Sequence, residues 1–174
     1  MRLNRREGSS LTTTAVAALL VLVTGCGAST GSGGRACTEI GAVSGVGLTV
    51  ARELAGDVRE AELQVCWDET CERIPLDLRP GQRTVDLGCE SDQPDAVCSA
   101  TSTPDGTLTG FAQLDSLPAG EVQVRAYTTR QDGTQVETEP LSVATETVFP
   151  NGEECPGEAQ QLALVLGASG LRPQ

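Results

Sequence analysis

The chain has 174 residues, 12 basic and 24 acidic side chains and a formal charge of −12, with one Trp, one Tyr, two Phe and no His. Every base is Arg, so a Ser/His/Asp or Cys/His catalytic unit, a Schiff-base lysine and an imidazole metal ligand are all excluded. The acid excess repels polyanions and no Arg cluster follows the first six residues, so no nucleic-acid partner is expected.

Arg2, Arg5 and Arg6 open the chain, and after a polar Ser/Thr stretch nine apolar residues run from Ala15 to Val23. A basic start followed by a short apolar run is the layout of a secretory signal. At the helical rise nine residues cover about 14 Å, less than half of a hydrocarbon core, so removal is expected rather than membrane spanning.

The run ends in Val23-Thr24-Gly25-Cys26, which resembles the lipobox of bacterial lipoproteins. The resemblance implies a diacylglyceryl group on the Cys26 sulfur, cleavage between Gly25 and Cys26, and Cys26 as the mature N-terminus. Each buried CH₂ adds ~0.8 kcal/mol, so two or more acyl chains hold durably where one does not. The address implied is the cell membrane, lipid-anchored on its extracytoplasmic face. The competing reading is a free Cys26 in an ordinary secretory signal.

Loss of residues 1–25 would leave nine basic and 23 acidic groups, a net charge of −14. Gly27 to Ala36 (GASTGSGGRA) has no apolar pattern and reads as a flexible tether. The expected organisation is a signal peptide at 1–25, a tether at 26–36, a folded domain at 37–168 and a C-terminal tail at 169–174.

Six further cysteines remain: Cys37, Cys66, Cys71, Cys89, Cys98 and Cys155. An even number in an exported chain reads as disulfides, although spacing alone allows 15 pairings. Local geometry favours Cys66 with Cys71, because a two-residue loop at Asp68-Glu69 would set them opposite each other on adjacent strands. Cys89 and Cys98 bracket a polar stretch, Glu90 to Val97, that a bond would close, and Cys37 with Cys155 would join the first and last parts of the domain. In the chain-entropy model the long closure contributes about 5 kcal/mol and each short one about 2 to 3. A thiolate metal site is the competing reading, but it lacks both a C-x₂-C spacing and a His.

Beyond the tether, period-two alternation dominates. Val46, Leu48 and Val50 mark one strand, and Ala61, Leu63, Val65 and Trp67 the next. Short strands are expected from Cys71 to Pro75 and, after an Arg79-Pro80-Gly81 turn, from Arg83 to Leu87. Leu108, Ala112 and Leu114, then Val122, Val124, Ala126 and Thr128, give two more. Asp132-Gly133 is a hairpin signal leading into Gln135 to Val143, and Gln161 to Gly167 is the last strand. Ala51 to Arg59 has room for a helical turn only.

Seven or eight short strands predict an all-β fold, a single antiparallel β-sandwich. Leu117-Pro118-Ala119-Gly120-Glu121-Val122-Gln123-Val124 resembles the corner before a late strand in immunoglobulin-like and fibronectin type III-like modules, and the likeness runs from about Thr107 to Leu166. No Tyr follows Gly120, so the tyrosine corner of that family is missing. A partly closed barrel is the alternative architecture. With so few aromatic rings, the core must rest on Val, Leu, Ile and Ala, and disulfides supplement it by restricting the unfolded chain.

Carboxylates are the one abundant catalytic type left. Glu60 with Glu62, and Glu137 with Glu139, lie two apart on a strand face, which suits a solvated surface better than the facing pair a glycosidase needs. Glu90, Asp92 and Asp95 share one loop and offer calcium its oxygen ligands, yet no D-x-[DN]-x-[DN]-G loop occurs, and Asp105-Gly106 and Asp132-Gly133 read as turns. Copper delivery is disfavoured because Met1 is the only Met. Trp67 falls in register with Leu63 and Val65 and is expected in the core, whereas Tyr127 lies on the opposite parity beside Arg125 and is the aromatic expected to touch a partner.

Elimination leaves a monomeric, non-enzymatic lipoprotein without cofactor or metal, binding another envelope protein through an acidic face or loop set. The alternatives are a secreted-protease inhibitor presenting the Cys89 to Cys98 loop, and an accessory module of a transporter or wall enzyme.

Overall fold

Strand after strand buries one face, and the alternation in the sequence is resolved by a computed structural model that describes residues 37–174. The signal segment, Cys26 and the tether lie outside the described residues. Glu39–Gln174 form one unit. Its elements are β1 (Gly45–Val50), a single helical turn α1 (Arg52–Ala55), β2 (Val58–Trp67), β3 (Thr70–Leu76), β4 (Arg79–Cys89), β5 (Cys98–Gln113), β6 (Glu121–Arg130), β7 (Gln135–Glu137), β8 (Leu141–Ala144), β9 (Glu146–Val148), β10 (Ala159–Gly167) and β11 (Gly170–Pro173).

These form two sheets, one ordered β11-β10-β1-β5-β4 with β9 also on β10, the other β3-β2-β6-β7 with β8 also on β6. Val46, Leu48 and Val50 of β1 and Leu162, Leu164 and Leu166 of β10 meet Ala61, Leu63 and Val65 of β2 and Val122, Val124 and Ala126 of β6 in one buried cluster. Apolar residues at every second position on both inner faces are what a two-layer β core requires. Trp67 packs partly buried against this cluster, as its register predicts.

Several expectations are corrected. The larger sheet is not purely antiparallel, because β1 pairs parallel with β10, Gly45 beside Gln161 through Val50 beside Leu166. A parallel pair needs a long crossover, and nearly the whole domain supplies it; a period of two in the sequence carries no information about strand direction. The strands number eleven among the described residues, because the segment expected as one strand from Gln135 to Val143 divides at Thr138–Pro140 into β7 and β8, and β9 and β11 are additional. Proline has no N–H to give a ladder, so a break at Pro140 follows. Residues expected as a tail instead place β11 against β10, Leu171 opposite Leu166.

Arg79-Pro80-Gly81 and Asp105-Gly106 were expected as turns and lie inside β4 and β5. The register between them steps from Pro80 with Leu108 to Gln82 with Pro104, so Gly81 alone faces three residues. Such a bulge uses the same glycines a turn would, which explains the misreading. At Asp68-Glu69 the turn is where it was expected: both residues have positive φ, 42° and 64°, in a two-residue connection from β2 to β3.

Candidate functional site

Because inward residues alternate with outward ones, the smaller sheet presents a second, polar row on its outer face. Glu62 of β2 lies opposite Tyr127 of β6, Gln64 opposite Arg73 of β3 on one side and Arg125 of β6 on the other, and Tyr127 opposite Glu137 of β7. Cross-strand neighbours at this spacing interact directly. Arg73 Nε donates to Glu62 Oε2 at 2.6 Å, and its guanidinium carbon stands 3.8 Å from the Tyr127 ring centroid. The Tyr127 hydroxyl donates to Gln64 Oε1 at 3.1 Å, and Arg125 pairs with Glu137. The hydrogen bond to Glu137, above all other causes, holds the Arg125 guanidinium above its ordinary value.

This row borders a cavity of about 440 Å³ whose rim includes Glu60, Glu62, Arg73, Tyr127, Thr129 and Glu137. Glu60 ion-pairs with Arg59 at 3.3 Å. Glu62 and Glu137 are each engaged by an arginine, so what the cavity offers is an aromatic ring under a guanidinium, flanked by paired charges and amide groups. Such a surface can bind a polar ligand through bidentate hydrogen bonding and stacking. Glu139, expected beside Glu137 on one strand face, lies past the end of β7. A second cavity of about 310 Å³ opens between the sheets at Leu54, Val58, Thr128, Val136 and Leu166.

The other distinctive surface is an arm. β5 lies on β1 only from Leu108 to Gln113, while Cys98 to Pro104 pairs with Gln82 to Cys89 of β4 and with no third strand. Seven residue steps from Gln82 to Cys89 make it about 24 Å long. At its base, Asp105 Oδ1 accepts the Thr107 backbone N–H at 2.9 Å and the Thr107 hydroxyl at 2.7 Å. Those two bonds, the backbone one first, hold the Asp105 carboxyl below the usual carboxylate range. At the tip, Cys89 and Cys98 are bonded with Cα atoms 3.9 Å apart.

Leu87 and Val97 flank that bond, 63% and 62% exposed. Glu90, Asp92 and Asp95 are exposed on the loop between the cysteines. Among the described residues no three His, Cys, Asp or Glu gather to hold a metal ion, and these carboxylates are spread along the loop. The loop backbone is turned, with Ala96 N–H donating to Gln93 O and Glu90 N–H to Val97 O.

Cys66 and Cys71 are bonded with Cα atoms 4.1 Å apart. Cys37 and Cys155 are disulfide-bonded as well. Cys26, the expected lipidation site, lies outside the described residues. Sequence reasoning singled out Tyr127 but missed Arg73, Gln64 and the arm. Arg73 had a local signal, since the Cys66 to Cys71 register already places it opposite Gln64. No protein-family model, curated protein or solved structure matches the chain.

Proposed function

We propose that the chain is a lipoprotein anchored through Cys26 at the extracytoplasmic face of the membrane, acting as a non-enzymatic binding module of the cell envelope. Disulfide bonding of Cys37, Cys66, Cys71, Cys89, Cys98 and Cys155 supports an oxidising compartment. The observation that carries the binding role is the outer face of the smaller sheet, where Arg73 stacked on Tyr127 borders a ready-formed cavity.

An immunoglobulin-like architecture belongs to the same reading. The sheet orders β10-β1-β5-β4 and β3-β2-β6-β7 would correspond to the ABED and C′CFG orders of that fold if the last long strand took the place of the first, running there parallel to β1. On this reading Leu117 to Gly120, which connects β5 to β6, would be the corner before the late strand that the sequence resemblance implies.

The test has two arms. Intact-mass measurement of the native protein, with and without reduction, is expected to give a diacylated Cys26 and three disulfides, and Cys26→Ser is expected to release the protein from membranes. Crosslinking on intact cells is expected to give an adduct that Arg73→Glu and Tyr127→Ala both abolish. An unacylated protein would overturn the anchor, and the lack of any adduct sensitive to both substitutions would overturn the binding face.

A further inference from the structure

The arm formed by β4 and β5 is a second interaction surface, separate from the cavity beside Tyr127. We propose that its tip docks into a partner protein whose cleft has an apolar floor and a rim of Lys or Arg. Two paired strands are marginal in water on their own, and those from Gln82 to Cys89 and Cys98 to Pro104 have no third strand beside them. The Cys89 to Cys98 bond closes the far end and fixes the register there. Leu87 and Val97 remain mostly in water on either side of it. Large apolar side chains held outward on a stapled projection contribute little to the core, and an interface gains from such pre-ordered anchors.

Charge selects the occupant. Asp86, Glu90, Asp92 and Asp95 fall within the segment from Asp86 to Val97, which contains no base. The arm's arginine, Arg83, sits toward its base, and Arg79 precedes it in β4. The tip therefore repels an anionic membrane surface and a nucleic acid, and a second copy of this net-acidic chain would repel it as well. A cationic rim would steer the tip in and tighten as salt falls, while Leu87 and Val97 would fill the floor.

The experiment uses the full-length protein in its native cells, with a photoreactive amino acid at Gln93 on the tip or at Gln131 on the β6–β7 connection as control. The expected result is one adduct from Gln93 and none from Gln131, with the crosslinked peptide identified by mass spectrometry as rich in Lys or Arg. Glu90→Arg/Asp92→Arg/Asp95→Arg and Leu87→Ala/Val97→Ala should each cut the yield at least tenfold while the purified variants melt as the parent does. Tyr127→Ala should leave it unchanged, which separates this surface from the cavity. Equal labelling from both positions, an acidic adduct, no adduct, or a yield indifferent to charge reversal would overturn the proposal.

Discussion

The guanidinium of Arg73 lies over the ring of Tyr127, 3.8 Å from its centroid, while the same arginine ion-pairs with Glu62 at 2.6 Å. Three strands are thereby linked across one face, because Tyr127 also donates its hydroxyl to Gln64. Arg73 and Glu62 side chains are 51% and 41% exposed, so solvent weakens their attraction. Arg73→Ala is expected to cost about 0.5–1 kcal/mol in urea denaturation under non-reducing conditions. Tyr127→Phe, which keeps the ring and loses the hydroxyl donor, should cost about 1 kcal/mol. Full additivity with Tyr127→Ala would show that the stack contributes nothing.

Glycines 45 and 47 of β1 are expected to respond in opposite ways to the same substitution. A Cβ at Gly45 would stand 2.2 Å from the Ala112 carbonyl oxygen and 2.7 Å from Phe111 Cζ. Backbone in a central strand must move to relieve that contact, so Gly45→Ala should lose about 3 kcal/mol. At Gly47 the nearest atoms are 3.8 Å and 3.9 Å away. Gly47→Ala should therefore be neutral or stabilising by up to about 1 kcal/mol, since it reduces the freedom of the unfolded chain. Thermal melts of the two variants decide the matter.

The turn between β2 and β3 holds Glu69 at a φ of 64°, a left-handed conformation that costs an L residue energy. Glu69→Gly is expected to raise stability by about 1 kcal/mol without altering the Cys66 to Cys71 bond. A drop in the urea midpoint would mean that the Glu69 side chain makes a contribution the turn geometry does not reveal.

Acid should selectively loosen the β5 bulge at Asp105 and the turn at Asp132. Asp105 is held below the usual carboxylate range by the Thr107 N–H and hydroxyl, and Asp132 by the corresponding groups of Thr134. A carboxyl depressed in the folded state stabilises fully above its unfolded value, about 3.9, and loses that contribution as pH falls through its lower folded value. Stability should thus hold from pH 7 to about 5 and decline below about 4. Asp105→Asn and Asp132→Asn should each flatten that decline in urea midpoints measured from pH 7 to 2.5; an unchanged acid slope would contradict the assignment.

How much of this was legible in the sequence depends on burial. Strands β1, β2, β6 and β10 each bury one face, and their alternation located them within one to three residues. The distal half of β4 and β5 buries neither face, so nothing in its pattern marked the extent of the arm. Cys66 with Cys71 was legible because a two-residue loop fixes register locally. Arg73 over Tyr127 depends on how β2 aligns with β6 across some 50 residues of chain, which no local pattern encodes.

Side-by-side placement of β1 and β10 imposes an order on assembly. A polypeptide made N-terminus first presents Val46, Leu48 and Val50 long before either neighbour exists: β5 supplies one edge at Leu108 to Gln113, and β10 the other only at Gln161 to Leu166. Contacts so distant along the chain form slowly. The last long strand to be synthesised closes the sheet around one of the first, so a nascent chain cut before residue 159 would leave β1 with an open edge and no stable domain behind it.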